Sequence, residues 1–125
     1  MLEVSGLRGG YGSVEVLRGI SMRIDAGEIV AVLGSNGAGK STLNNTLSGL
    51  YPAFGGTVRF DGRDITRARA AAIVDAGLIQ VPEGRRVFPN LAVLENLELG
   101  SYRRGRANRA RNLERVFQIF PRLKE

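Results

Sequence analysis

Five apolar residues in succession, Ile29-Val30-Ala31-Val32-Leu33, are β-branched in part and predict a strand covered on both faces. Shortly beyond them Leu43, Leu47 and Leu50 recur at helical spacing, with Gly49 placed to end that helix. Leu78-Ile79-Gln80-Val81 predicts a second core strand. Elsewhere apolar and polar positions alternate. Leu2-Glu3-Val4 and Ile20-Ser21-Met22-Arg23-Ile24 read as antiparallel strands with one wet face, and Thr57-Val58-Arg59-Phe60 as another that stops at the turn dipeptide Asp61-Gly62. Thr66 is placed to cap a short helix through Ala76, favoured by the alanines at 70–72 and ended by Gly77. From Leu91 on the pattern is helical: Val93, Leu94 and Leu97 share one face, and Leu113, Val116, Phe117 and Phe120 share another.

Loops separate these elements. Gly9-Gly10-Tyr11-Gly12 and Tyr51 to Gly56 are Gly-rich connections, and Ala26-Gly27 is a turn. Pro82 to Pro89 is polar and carries two prolines. The chain therefore divides into an α/β core with an antiparallel β portion at 1–82, a linker at 83–90, and a helical part at 91–125.

Between the first core strand and its helix stands Gly34-Ser35-Asn36-Gly37-Ala38-Gly39-Lys40-Ser41, which satisfies G-x-x-x-x-G-K-[ST] at every fixed position. Both flanks suit a phosphate loop, which must leave a buried strand and open a helix. Glycines 34, 37 and 39 let backbone N–H groups turn inward around phosphate oxygens without side-chain clashes, and the positive end of the following helix adds to their pull. Lys40 would reach the β- and γ-phosphates, and the Ser41 hydroxyl would ligate Mg²⁺. With Thr42, which continues the helix, the expected nucleotide site is Gly34, Ser35, Asn36, Gly37, Ala38, Gly39, Lys40, Ser41 and Thr42. The competing reading, a Gly-rich strand-to-helix turn, explains neither the lysine nor the serine. Tyr11 either stacks on a base or covers the sheet edge.

Composition narrows the field. A chain of 125 residues suits one domain, and its 43% hydrophobic and 24% charged residues are ordinary for a globular protein. With no cysteine and no histidine there is no disulfide, thiolate or imidazole chemistry. No apolar run approaches the roughly 20 residues of a membrane span, and the N-terminus is not that of a signal peptide. The net charge of +6 lies at the C-terminal end: residues 101–125 hold Arg103, Arg104, Arg106, Arg109, Arg111, Arg115, Arg122 and Lys124 against Glu114 and Glu125. A solvated helix face accounts for this most simply, ahead of contact with an acidic partner surface. No aromatic platform interleaves the arginines, so no nucleic-acid partner is expected.

Tyr11, Ala26-Gly27-Glu28, the phosphate loop, Gly55-Gly56-Thr57-Val58 and Val81-Pro82-Glu83-Gly84-Arg85-Arg86-Val87-Phe88-Pro89 follow one another in an order that resembles the ATP-binding subunit of ABC transporters. The last stretch is similar to the form found in branched-chain amino acid importers. The resemblance implies a P-loop NTPase core with an antiparallel β portion, ending within the helical subdomain, and covers about the N-terminal half of a typical member. It implies ATP and Mg²⁺ as ligands, Tyr11 as the adenine-stacking aromatic, and Glu83 at the position of a residue, usually glutamine, that touches Mg²⁺ and senses the membrane subunit. It further implies membrane subunits and a second ATP-binding subunit as partners, and a cytoplasmic location, peripheral on the inner face of the membrane.

The Leu-Ser-Gly-Gly-Gln signature, the apolar strand ending in Asp-Glu and the switch histidine of that family do not occur in this sequence. No catalytic set is complete, so the chain is expected to bind Mg-ATP or ADP with little or no turnover. Strand edges left bare would invite self-association. Two other readings are a small P-loop kinase or GTPase and a non-hydrolysing regulatory or vestigial nucleotide-binding fragment. The guanine-reading Asn/Thr-Lys-x-Asp pattern is absent, and Lys40 and Lys124 are the only lysines. Asn44 stands where relatives place an apolar helix residue.

Overall fold

A computed structural model describes residues 1–84 and 86–125; Arg85, part of the 81–89 stretch, lies outside the described residues. The chain forms two compact units, 1–80 and 81–125.

The first unit is a four-stranded antiparallel sheet in the order β2-β1-β3-β4, with two helices: β1 (Leu2–Tyr11), β2 (Val14–Ile24), α1 (Lys40–Leu47), β3 (Ala53–Phe60), β4 (Arg63–Asp64) and α2 (Ala70–Ala76). Leu2 and Val4 face the core, as the alternation requires, but a bulge at Gly6 then shifts the phase by one, so that Leu7 and Gly9 are the next buried positions. Gly6 has φ +57 and faces Gly56 of β3, φ +84; a Cβ on Gly56 would lie 2.4 Å from the Gly6 carbonyl oxygen. Leu2, Val4, Leu7, Leu17 and Val58 of the sheet pack with Leu43 of α1, Ile73 of α2 and Ile65.

The wet-faced strands and both first-unit helices lie where the pattern predicts, with three differences. β1 runs through Gly9-Gly10-Tyr11, expected to be loop, and turns into β2 over Gly12 and Ser13; β3 likewise begins at Ala53. Gly10 permits this close pairing, since a Cβ there would fall 1.8 Å from the Val14 carbonyl oxygen. Thr66 does not cap α2. Its hydroxyl donates to Asp64 Oδ1 (2.6 Å) and accepts the Val58 N–H (2.8 Å), so it fastens the β3–β4 turn, while α2 starts at Ala70 without a side-chain cap.

The third difference is the largest. Neither 29–33 nor 78–81 belongs to a sheet: among the described residues neither has a ladder partner, and Ile29 and Leu33 are 98% and 90% exposed rather than covered on both faces. An apolar run becomes a strand only beside another strand, and here all pairing runs among β1 to β4.

The second unit contains α3 (Val93–Gly100) and α4 (Arg109–Ile119), with short 3-10 turns at Arg106–Asn108 and Pro121–Lys124. None of its described side chains is buried. Local polar contacts organise it instead. The Asn96 amide accepts the Phe88 N–H at 2.8 Å and donates to the Phe88 carbonyl at 3.1 Å, tying the loop to α3. The Glu95 carboxylate accepts the Ala92 N–H at 2.7 Å at the head of the same helix. Arg109 Nε donates to Ser101 Oγ at 2.8 Å. Among the described residues no helix is long and apolar enough to cross a membrane.

Candidate functional site

The loop from Gly34 to Gly39 leads into α1, whose position is set by its buried face. Thr42, Leu43 and Thr46 are buried, and Leu43 N–H closes the first helical bond onto the Gly39 carbonyl at 2.8 Å. The Thr46 hydroxyl donates back to the Thr42 carbonyl at 2.8 Å, so this buried polar group is satisfied within the helix. Gly39 itself is left-handed, φ +94, and a Cβ there would stand 3.1 Å from Val16 Cγ1. The chain can turn from loop to helix this close to β2 because residue 39 is glycine.

No side chain caps α1. The N–H groups of its first turn, which have no acceptor within the helix, therefore point out of its N-terminal end beside Gly39, Lys40, Ser41 and Thr42. They carry the positive end of the helix dipole. Lys40 adds a full charge and folds back over the loop, donating from Nζ to the carbonyls of Gly34 (2.5 Å) and Ser35 (2.8 Å). The Ala38 N–H bonds the Ser35 carbonyl at 3.1 Å, a turn around Asn36 and Gly37, and Gly37 has φ +87 with open space where a side chain would project. Uncapped donors, a left-handed glycine entry and a lysine curled across the loop together form a cradle suited to a polyanion.

The Ser41 side chain is exposed in the first turn, a hard oxygen donor of the type that Mg²⁺ takes. Thr42 is buried and faces the hairpin, where its hydroxyl donates to the Tyr11 hydroxyl at 3.0 Å. Tyr11 is thus fastened to the phosphate-loop helix. Its ring meets that of Tyr51 edge-on at 4.9 Å and 68°, while 44% of the residue stays open to solvent. Neither the Thr42 nor the Tyr51 contact is legible from spacing; the aromatic following the Gly49-Leu50 helix end is the only trace of the latter.

Glu83 is the third residue of the second unit and is exposed, whereas the other sequence-predicted site residues all belong to the first. Asn44 is exposed, so the absence of an apolar residue there costs no packing in this unit. Its neighbour Asn45 accepts the Gln80 side-chain N–H at 3.1 Å, and Gln80 in turn accepts the Ser48 hydroxyl at 2.5 Å. Gln80 therefore clamps the segment after α2 onto the C-terminal end of α1.

The ABC transporter family model matches residues 17–124. The high-affinity branched-chain amino acid transport ATP-binding protein BraG of Pseudomonas aeruginosa is 40% identical over 115 residues, 92% of this chain and 49% of BraG. The ribose import ATP-binding protein RbsA 1 of Burkholderia thailandensis is 40% identical over 126 residues, 98% of this chain and 25% of that protein. A solved ATP-binding subunit of an ABC transporter superposes with a TM-score of 0.83 at 31% identity, over 99% of this chain and 51% of that one. The chain thus spans about half the length of BraG and a quarter of RbsA 1. The chain has the P-loop NTPase fold of these ATP-binding cassettes and belongs to the ABC transporter family.

Proposed function

We propose that this chain is the nucleotide-binding part of an ABC importer's ATP-binding subunit, and that it takes up Mg-ATP or Mg-ADP through residues 34–42. The observation that carries the reading is the uncapped N-terminus of α1 behind left-handed Gly39, with Lys40 already lying across the loop. The first-turn N–H groups hold the phosphates, Lys40 exchanges two neutral carbonyls for the charged β- and γ-oxygens, and Ser41 offers its hydroxyl to the metal. Bound Mg²⁺ would neutralise phosphate charge. Tyr11, tethered by Thr42 and partly open, presents its ring to the adenine. Glu83 is assigned toward Mg²⁺ on residue type alone, a carboxylate being a hard donor.

The given sequence contains neither the family's signature nor its strand ending in Asp-Glu, so nucleotide binding, and not turnover, is what is proposed for residues 34–42. Branched-chain amino acids are the proposed cargo class, supported by the 81–89 stretch and by the BraG match. Membrane subunits of such an importer and a second ATP-binding subunit are the proposed partners, which would place the chain on the cytoplasmic face of the membrane.

Calorimetry of Mg-ATP binding alongside a steady-state phosphate-release assay tests this reading. Saturable binding without release, abolished by Lys40→Ala with the far-UV spectrum unchanged, is the expected result. Equal affinity in the variant would defeat the phosphate-loop assignment.

A further inference from the structure

Two contacts hold the Tyr11 side chain, and they restrain different motions. The hydrogen bond from the Thr42 hydroxyl to the Tyr11 hydroxyl, 3.0 Å, fixes the far end of the side chain. That oxygen lies on the axis about which the ring turns, so the bond anchors the ring without setting its plane. Rotation about this axis is a broad, two-fold torsion in any tyrosine. The second contact is the edge-on approach of the Tyr51 ring, with 4.9 Å between centroids and 68° between planes. A ring at that distance blocks the rotation, and the edge-to-face arrangement is itself favourable.

The fold puts Tyr51 there by strand register. β1 and β3 are antiparallel with Gly9 opposite Ala53, so two residues after Gly9 and two before Ala53 the same register sets Tyr11 against Tyr51. The Tyr51 backbone is held separately. Its N–H and that of Leu50 bond the Asn45 carbonyl of α1 at 3.2 and 2.9 Å, and Pro52 narrows the backbone freedom of residue 51. Tyr51 also lines a cavity of about 480 Å³ with Leu50, Pro52 and Arg69. Deleting its ring therefore enlarges that cavity toward Tyr11 and brings no second ring against it.

We propose that Tyr51 is a positioning residue for the nucleotide base: by fixing the plane of the Tyr11 ring, it sets the face on which adenine stacks. Stacking needs two parallel planes, and a ring free to turn must be ordered at a cost to affinity when the base arrives. Tyr51 spares the site that cost. The inference rests on the adenine role proposed for Tyr11. It concerns the base alone, because the anchor of Tyr51 on α1 is Asn45, past the residues assigned to the phosphates.

Calorimetry on the full 125-residue chain, with ATP and with inorganic tripolyphosphate, compares the parent with Tyr51→Phe, Tyr51→Ala, Tyr11→Ala and the double alanine variant. The strength of an edge-on aromatic pair corresponds to roughly 2- to 12-fold in an equilibrium. Tyr51→Ala should weaken ATP by that factor and leave tripolyphosphate unchanged. Tyr51→Phe keeps the ring and should restore the parent affinity. With Tyr11 already alanine, Tyr51→Ala should have no further effect, since the two residues act as one unit. Relaxation NMR on ¹³C-labelled tyrosine rings supplies a signature independent of affinity: the Tyr11 ring should gain mobility in Tyr51→Ala and not in Tyr51→Phe. Should Tyr51→Ala melt near the assay temperature, Tyr51→Leu, which keeps apolar bulk without a flat ring, takes its place with the same expectations. Unchanged ATP affinity, tripolyphosphate weakened in step with ATP, or a further loss in the double variant would each overturn the role of Tyr51. If Tyr11→Ala alone leaves ATP affinity unchanged, the adenine assignment of Tyr11 is what fails, and the role of Tyr51 falls with it.

Discussion

Replacing Tyr11 by phenylalanine and, separately, by alanine divides its two roles. The hydroxyl accepts a 3.0 Å hydrogen bond from buried Thr42, while the residue stays 44% exposed and its ring is the surface proposed for the base. Tyr11→Phe strands the Thr42 hydroxyl, and since leaving a buried donor unpaired costs about 1–3 kcal/mol, the melting temperature should fall by several degrees. The ring survives, so ATP affinity should change by less than about threefold. Tyr11→Ala removes the ring as well. Base–aromatic stacking contributes roughly 1–3 kcal/mol, which converts to roughly 5- to 150-fold weaker ATP binding at about 1.4 kcal/mol per factor of ten. Inorganic tripolyphosphate contacts only the loop, and its affinity should be the same in all three proteins. Calorimetry with both ligands decides the matter. Equal losses of ATP affinity in the phenylalanine and alanine variants, or tripolyphosphate weakened in step with ATP, would refute stacking.

Two further outcomes are expected. Gly39→Ala places a side chain at φ +94, 3.1 Å from Val16 Cγ1; left-handed backbone costs a residue with a Cβ about 1–2 kcal/mol, so the variant should melt lower and bind Mg-ATP more weakly, and an unchanged melting temperature would count against the loop geometry. Hydrogen bonds from the Thr66 hydroxyl, and then from its N–H, hold the Asp64 carboxyl below its ordinary value of 3.8. Because the folded value is the lower one, the stability this group adds is present above that ordinary value and is lost as pH falls through the folded value. Denaturant titrations of the parent and Asp64→Asn should therefore converge as pH drops below about 4; a constant gap would remove Asp64 from the acid limb.

The elements legible in the sequence were those that have a neighbouring strand or helix among the described residues, whatever its distance along the chain. Leu2 and Val4 are buried on one face as their alternation predicts, whereas Ile20 in the 20–24 alternation is exposed, and the G-x-x-x-x-G-K-S run stands at the loop before α1, a pattern that needs no distant partner. The boundaries of β1 and β3 differ from the expectation for a physical reason: Gly9-Gly10 and Gly55-Gly56 read as flexible connection, yet Gly10 and Gly56 let backbones approach where a Cβ would collide. Thr66 has the residue type of a helix cap, but its hydroxyl is already committed to Asp64 and Val58. The Tyr11–Thr42 bond joins positions 31 apart and leaves no periodic trace.

The largest discrepancy bears on the loop proposed to bind nucleotide. Propensity and hydrophobicity select Ile29 to Leu33 as the central strand, but strand formation is a property of a pair, and the pairing among β1 to β4 leaves this segment out. The phosphate loop is consequently held firmly on one side, where Leu43, Thr42 and Thr46 are buried and Gly39 abuts β2, and by a solvent-exposed segment on the other. Any ordering of 29–33 that nucleotide binding requires is a cost set against the contacts of Lys40 and the first-turn N–H groups.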